Sequence, residues 1–245
     1  MRCFSPRGCA SYAVTVLLTS MLIIGNAGFV RAADPENSQI CDATADYFLG
    51  NDDYPEAVRL HRLIVEQRPN DALAHYHLGY AEGMMGQTRN ELEQYQTAAL
   101  LGLKDWDLYL NLGRVYLEQG RIGPATQAFQ TAVALGPDHP EGHFNLGLAY
   151  ERQGMLDAAS VELNKSLTLD PSQSDARNML ALVDAEQGNY LGAQKIWTEL
   201  TRSEPNFAPA QANLAILESA LKRRAPAEGA LAVPSFQSAS ALSPQ

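Results

Sequence analysis

Residues 141–171 of this sequence read EGHFNLGLAYERQGMLDAASVELNKSLTLDP. Their apolar residues recur three or four positions apart, which is the spacing of one face of an α-helix. Gly154 separates two such segments, and Pro171 closes the stretch. The pattern predicts two helices joined by a glycine turn, and it contains nothing that resembles a nucleophile with its base.

The same pattern returns every 34 residues along the chain. A small residue marks each return, in most cases directly after a leucine, at Ala45, Gly79, Gly113, Gly147, Ala181 and Ala215. Further along each unit a second small residue, a large apolar residue and a closing proline recur, as at Ala159, Leu163 and Pro171. Because small side chains let two helix backbones approach closely, the repeat predicts a stack of antiparallel helix pairs.

The unit at residues 106–139 carries the clearest motif, Tyr109-x₂-Leu112-Gly113-x₂-Tyr116 followed by Ala125-x₃-Phe129 and Pro137. It resembles the tetratricopeptide repeat, in which W-x₂-L-G-x₂-Y precedes A-x₃-F and a terminal proline. The resemblance implies an all-α fold, a right-handed superhelical solenoid of helix-turn-helix repeats. We expect five units, at residues 38–71, 72–105, 106–139, 140–173 and 174–207, and a capping helix at residues 208–224.

Two of these units depart from the motif. In the second unit, Glu91 occupies a position that is small elsewhere, and Leu103 replaces the closing proline. We therefore expect looser packing in that unit. The first unit keeps little of its first-helix motif beyond Thr44 and Ala45.

The two ends of the chain have a different composition from the repeats. Arg2 and Arg7 precede an apolar run, and small residues surround Arg31, so residues 1–32 are predicted to be a cleaved signal peptide. This indicates export, most simply to a bacterial periplasm; the alternative is an uncleaved inner-membrane anchor at residues 12–30. Residues 33–37 are expected to form a short linker, and residues 225–245, rich in alanine, serine and proline, a disordered tail.

Charge and cysteine content restrict the partners and the chemistry. The chain has 18 basic and 28 acidic residues and a net charge of −10. This balance argues against nucleic acid as a partner, because phosphate binding needs a basic face. Cys41 is the single cysteine outside the predicted signal peptide, so it has no intramolecular disulfide partner, and we interpret it as a small buried apolar residue.

The resemblance also implies a concave groove lined by the first helices of the units. One row of groove positions contains His77, Asn111, Asn145, Met179 and Asn213. Asparagine offers a donor and an acceptor to a peptide backbone, and the row resembles the asparagine ladder of peptide-binding members of the family. The other interpretation is that these asparagines bond to a neighbouring helix.

The positions that flank this row complete the predicted binding site. They are Tyr76, Leu110, Phe144 and Asn178 on one side, and Tyr80, Arg114, Leu148 and Leu182 on the other. A largely apolar strip of this kind is typical of a protein-binding surface, although Tyr76 and Phe144 could instead pack in the core. Acidic residues near one edge, at Asp107, Glu141 and Asp175, favour a partner with lysine or arginine. We therefore expect an extended or helical peptide segment as the ligand.

Enzymatic motifs are missing from the sequence. His75 and His77 lie two positions apart on a predicted helix and so diverge, and neither HExxH nor GxxxxGK occurs. We predict no catalytic residue, no metal and no cofactor. The resulting hypothesis is a non-catalytic scaffold in bacterial envelope assembly, such as pilus, secretion or polysaccharide export. The alternative is a regulatory accessory subunit of an envelope enzyme that processes peptidoglycan or glycan.

Overall fold

The computed structural model describes residues 41–224, and this part of the chain contains eleven α-helices and no strand. The predicted signal peptide, the linker and the C-terminal tail lie outside the described residues. None of the described helices has both the length and the apolar composition to cross a membrane. The helices are α1 (Ala43–Gly50), α2 (Tyr54–Gln67), α3 (Ala72–Met84), α4 (Thr88–Leu100), α5 (Trp106–Glu118), α6 (Ile122–Leu135), α7 (Pro140–Arg152), α8 (Leu156–Leu169), α9 (Ser174–Glu186), α10 (Tyr190–Ser203) and α11 (Ala208–Arg224).

The turns inside the helix pairs share one backbone conformation. Gly86, Gly120, Gly154 and Gly188 each follow a first helix and have φ values of 73°, 71°, 72° and 83°. This left-handed region suits glycine, which has no Cβ. Asp52, with φ 61°, holds the corresponding place in the first pair. The 34-residue period of the sequence is therefore also a period of the backbone.

Polar side chains and prolines mark where several helices begin. The carboxylate of Asp42 accepts hydrogen bonds from the backbone N–H groups of Thr44 and Ala45, both at 3.0 Å. Asp71 caps α3 in the same way. Pro140 opens α7, where a missing N–H costs little because the first turn has no intrahelical acceptor for it.

The chain divides into two compact units, one ending at Val115 and the other beginning at Tyr116 within α5. In the first unit, α1 contacts α2 and α3, and α3 packs between α2 and α4. A Cβ placed on Gly79 of α3 would lie 2.8 Å from the ring of Tyr95 on α4, which is buried. Contrary to the expectation of loose packing, these helices cross closely, and Glu91 is itself only 2% exposed.

In the second unit, α7 packs against α6 and α8, α9 against α8 and α10, and α11 against α10. Leu163, Met179, Trp197 and Leu217 form the centre of its apolar core. A Cβ added at Gly147 of α7 would lie 2.8 Å from Cγ of Leu163 on α8. The small residue of the first helix thus sets how closely the second helix approaches.

Two histidines stand where the motif has its first aromatic residue. In the first unit, buried His75 lies with Nε2 3.0 Å from the carbonyl oxygen of Pro69 and Nδ1 2.7 Å from Gln94. In the second unit, His143 makes the equivalent contacts with the Pro137 carbonyl at 2.9 Å and with Glu162 at 2.7 Å. Both histidines therefore join the proline that ends the preceding repeat to their own helix pair.

The close crossing at Gly147 yields a stability prediction. Replacing Gly147 with leucine forces bulk against Leu163, so we expect a loss of about 1–3 kcal/mol in the free energy of unfolding. Ala134→Leu on α6 is the control, because Ala134 is exposed and the added side chain can extend into solvent. Urea unfolding followed by circular dichroism measures both variants, and equal stabilities would contradict the assigned crossing.

Candidate functional site

The predicted groove residues of the first unit lie on α3 and α5. Five are buried and Arg114 is partly exposed; the buried ones are Tyr76, His77, Tyr80, Leu110 and Asn111. The amide of Asn111 donates to the hydroxyl oxygen of Tyr76 at 3.4 Å, and burial raises the pKa of Tyr76 well above its ordinary value. Most of these side chains are therefore shielded from solvent.

His77 contacts two residues near the beginning of the described part of the chain. Its Nδ1 lies 2.7 Å from Oδ1 of Asp46 on α1 and 3.4 Å from Sγ of Cys41. Burial opposes ionisation of Asp46, but hydrogen bonds from His61 and His77 outweigh it and hold the pKa of Asp46 below its usual range. Burial, reinforced by the charge of Asp46, raises the pKa of the Cys41 thiol. His77 therefore belongs to a polar cluster that connects three helices.

In the second unit, the predicted residues fall into a buried and a partly exposed group. Leu148, Met179 and Leu182 belong to the core. Phe144 and Asn145 are partly exposed, and the amide of Asn145 donates to the Glu141 carbonyl of its own helix at 2.8 Å. Phe144 also packs against the core, so only part of its ring, like part of Asn145, is open to a ligand.

Asn178 and Asn213 join neighbouring helices. Asn178 is 0% exposed, and its Oδ1 accepts from the indole N–H of Trp197 at 2.9 Å and from the amide of Asn213 at 3.3 Å. Asn178 therefore connects α9 to both α10 and α11. Asn213, a member of the asparagine row, bonds to a neighbouring helix, as the alternative interpretation expects. Peptide binding by the asparagine row stays a prediction.

Two polar atoms of the predicted site lack a hydrogen-bond partner within the described part of the chain. They are Nη1 of Arg114 and Nδ2 of Asn178, and both atoms are buried. A buried donor without an acceptor is costly, and a carbonyl or carboxylate oxygen would satisfy it. Arg114 as a whole is partly exposed, although its Nη1 is buried.

The structure adds two residues that the sequence reasoning missed, Glu151 on α7 and Glu186 on α9, here called the acidic pair. Glu151 follows Leu148 by three positions and Glu186 follows Leu182 by four, so each lies on the helix face that carries a predicted groove residue. Helices α7 and α9 contact each other. This placement relative to the groove positions was visible in the sequence.

Burial and mutual repulsion destabilise the charges of the acidic pair. Burial raises the pKa of Glu151, and Oε2 of Glu151 has no hydrogen-bond partner among the described residues. Burial, and then the charge of Glu151, raise the pKa of Glu186. An incoming cation would favour the ionised form of both carboxylates, so this face is suited to a basic ligand group.

Comparisons with known proteins agree with the architecture. A family model described as TPR repeat matches residues 113–154, and one described as Tetratricopeptide repeat matches residues 140–173. No curated protein sequence matches the chain.

Three solved structures illustrate the similarity of fold. YrrB, described as a TPR protein with an unusual peptide-binding site, is 22% identical with a TM-score of 0.64, over 68% of this chain and 86% of YrrB. A tetratricopeptide repeat protein from Parabacteroides merdae is 20% identical with a TM-score of 0.64, over 74% and 73% of the two chains. PilF from Pseudomonas aeruginosa is 22% identical with a TM-score of 0.61, over 74% and 82%. At these identities the similarity establishes the fold, a helical repeat solenoid.

The contacts of Asn178 yield a second prediction. Replacing Asn178 with alanine removes the Oδ1 that accepts from the buried Trp197 N–H, so we expect a loss of about 1–3 kcal/mol in unfolding free energy. Asn145→Ala is the matched control and should change stability by less than about 0.5 kcal/mol, because Asn145 is partly exposed and bonds only within its helix. Chemical denaturation of both variants is the measurement, and a larger loss in Asn145→Ala would refute the assignment.

Proposed function

Because the chain is a tetratricopeptide repeat protein, we propose that it is a non-catalytic scaffold that binds a peptide segment of a partner protein. The repeat matches and the repeat-protein neighbours support protein–protein interaction as the class of function. The peptide-binding site named for YrrB supports a peptide as the ligand by analogy. The residues must still supply the specificity, since a fold alone names no ligand.

The acidic pair is the observation that carries this proposal. It places two unfavourable negative charges on contacting helices, and Oε2 of Glu151 is without a donor in the described structure. The partly exposed ring of Phe144 lies seven positions before Glu151 on α7, and therefore on the same helix face. An apolar side chain against Phe144 and a lysine or arginine beside the carboxylates would satisfy both features. The preferred partner segment is therefore apolar with basic residues, either extended or helical.

Envelope assembly is the process that we propose for this scaffold, in a bacterial periplasm. The support is the predicted signal peptide at residues 1–32 and the acidic composition of the chain. Pilus, secretion and polysaccharide export are the candidate processes. A regulatory accessory subunit of a peptidoglycan- or glycan-processing enzyme is the alternative. Cross-linking in cells followed by mass spectrometry separates the two by recovering either an assembly component or an enzyme.

The binding test removes the charges of the acidic pair. We expect Glu151→Gln with Glu186→Gln to lower capture of the cross-linked partner by about tenfold or more, because a hydrogen bond to a charged group contributes about 1.5–3 kcal/mol. The matched control is Glu93→Gln with Glu199→Gln, which changes net charge equally at two exposed positions. Equal capture by the two double variants would remove the acidic pair from the proposal.

The acidic pair also makes stability depend on pH. Since the folded chain raises the pKa of Glu151 and Glu186, it binds protons more tightly than the unfolded chain does. The stabilisation from this tighter proton binding is thus fully present below the ordinary glutamate pKa of about 4.3. It is lost as the pH rises from that value through the raised pKa values of the folded chain. The double glutamine variant should lose less stability between about pH 4 and pH 7 than the parent. Urea unfolding across this range measures the difference, and parallel curves would contradict it.

A further inference from the structure

Four side chains that commonly bind metals meet at the beginning of the described chain. Cys41 lies just before α1, Asp46 on α1, His61 on α2 and His77 on α3. One potential ligand atom from each of the four lies within 4.8 Å of the others. Asp46, His61 and His77 are buried, and Cys41 is partly exposed.

The repeat register shows that two of these residues replace apolar packing. Asp46 stands 34 positions before Tyr80, at a place that is leucine in two later repeats, as at Leu148, and arginine in the third repeat. His61 stands 34 positions before Tyr95, at the place of Phe129 in the third repeat. Burying charged groups in place of apolar ones is unfavourable unless something compensates them. The first helix pair is therefore built around a polar cluster where its neighbours have a core.

The distances in the cluster are close to those of a tetrahedral metal site. With zinc–ligand distances of about 2.0–2.3 Å, ligand atoms lie about 3.3–3.6 Å apart. Oδ1 of Asp46 is 3.1 Å from Nε2 of His61 and 2.7 Å from Nδ1 of His77. Sγ of Cys41 is 3.4 Å from the same His77 nitrogen and 3.5 Å from the same Asp46 oxygen. These four distances lie within about 0.6 Å of the tetrahedral values, and no two of the four ligand atoms are more than 4.8 Å apart.

Outer contacts hold two of the ligands in position. Oδ2 of Asp46, the oxygen that faces away from the cluster, accepts hydrogen bonds from the backbone N–H groups of Cys41 at 3.0 Å and Asp42 at 3.3 Å. Nδ1 of His61 is 2.8 Å from the carbonyl oxygen of Ala57. Hydrogen bonds of this kind orient the ligands of known metal sites and fix the histidine tautomer.

Both ring nitrogens of His61 face oxygen atoms, one on Ala57 and one on Asp46. The Ala57 carbonyl can only accept, so Nδ1 of His61 donates. In the neutral tautomer Nε2 then has a lone pair, and this lone pair faces a carboxylate oxygen of Asp46. The lone pair and the carboxylate oxygen repel each other. Either a second proton on the ring or a metal ion between the two atoms removes this repulsion.

We propose that Cys41, Asp46, His61 and His77 bind one divalent transition metal ion, with Zn²⁺ the ion that fits best. Thiolate, imidazole and carboxylate are ligands that zinc accepts together, and four protein ligands complete a tetrahedral structural site. Binding releases the Cys41 thiol proton to solvent, together with any second proton on the histidines. The ion connects the eight-residue helix α1 to α2 and α3, and so stabilises the first helix pair.

The direct test uses the full chain with Cys3→Ser and Cys9→Ser, which leaves Cys41 as its only thiol. After removal of metals with a chelator, Zn²⁺ should bind with a stoichiometry of one per chain in calorimetry and should raise the unfolding temperature. Co²⁺ in place of Zn²⁺ should give the intense visible bands of tetrahedral cobalt and a thiolate-to-cobalt charge-transfer band. Absence of stoichiometric binding, or cobalt spectra of an octahedral site without thiolate, would overturn the proposal.

Variants locate the bound ion. His77→Gln should weaken Zn²⁺ binding by more than about 100-fold, because losing even an outer partner of a metal ligand costs about 10–100-fold. His75→Gln is the control on the same helix, since His75 contacts Pro69 and Gln94 outside the cluster, and it should keep the site. Cys41→Ser changes a partly exposed residue and should remove the charge-transfer band while the chain stays folded by circular dichroism. Unchanged zinc affinity in His77→Gln, or a persisting band in Cys41→Ser, would place the metal elsewhere and refute the site.

Discussion

The close approach of the two helices within a pair is the constraint on which the other features depend. At Gly79 and Gly147 a Cβ would lie 2.8 Å from the large residue of the second helix, so the backbones meet where no side chain fits. The large residue, Tyr95 or Leu163, then reaches the first helix and is buried. In the first pair, the corresponding position holds His61, and the same approach brings its ring close to Asp46 and, on the next helix, His77.

The repeat fold follows from the sequence because its determinants are local and periodic. The leucine–glycine pair, the small residue of the second helix and the glycine turn each act within about 34 residues, so their spacing alone predicts where helices begin and reverse. Leu146, Gly147 and Gly154 illustrate this, since each stands in the role that the motif gives it. Looser packing of the second repeat was the wrong expectation, because Tyr95 fills its crossing despite Glu91.

The candidate site was less accessible to sequence reasoning. The family pattern identifies which positions of a first helix face the predicted groove, but not how far neighbouring side chains cover them. Asn178 and Asn145 occupy equivalent helices, yet Asn178 is buried under Trp197 while Asn145 remains partly exposed. The polar cluster was missed for a different reason: its four residues come from three separate segments of the chain, so spacing within one helix does not reveal it. Its signal is His61, at a position that is aromatic or leucine in the other repeats, together with Asp46, whose position is charged elsewhere only at Arg114.

The left-handed turns at residues 52, 86, 120, 154 and 188 bear on how such a chain can change in length. An α-helix rotates by about 100° per residue, so deleting one residue inside a helix turns every later side chain away from its partner. Adding or removing a whole module restores the same turn, the same crossing and the same face. Gene duplication can therefore lengthen or shorten this protein in steps of 34 residues, whereas slippage by a single codon within a helix disrupts it.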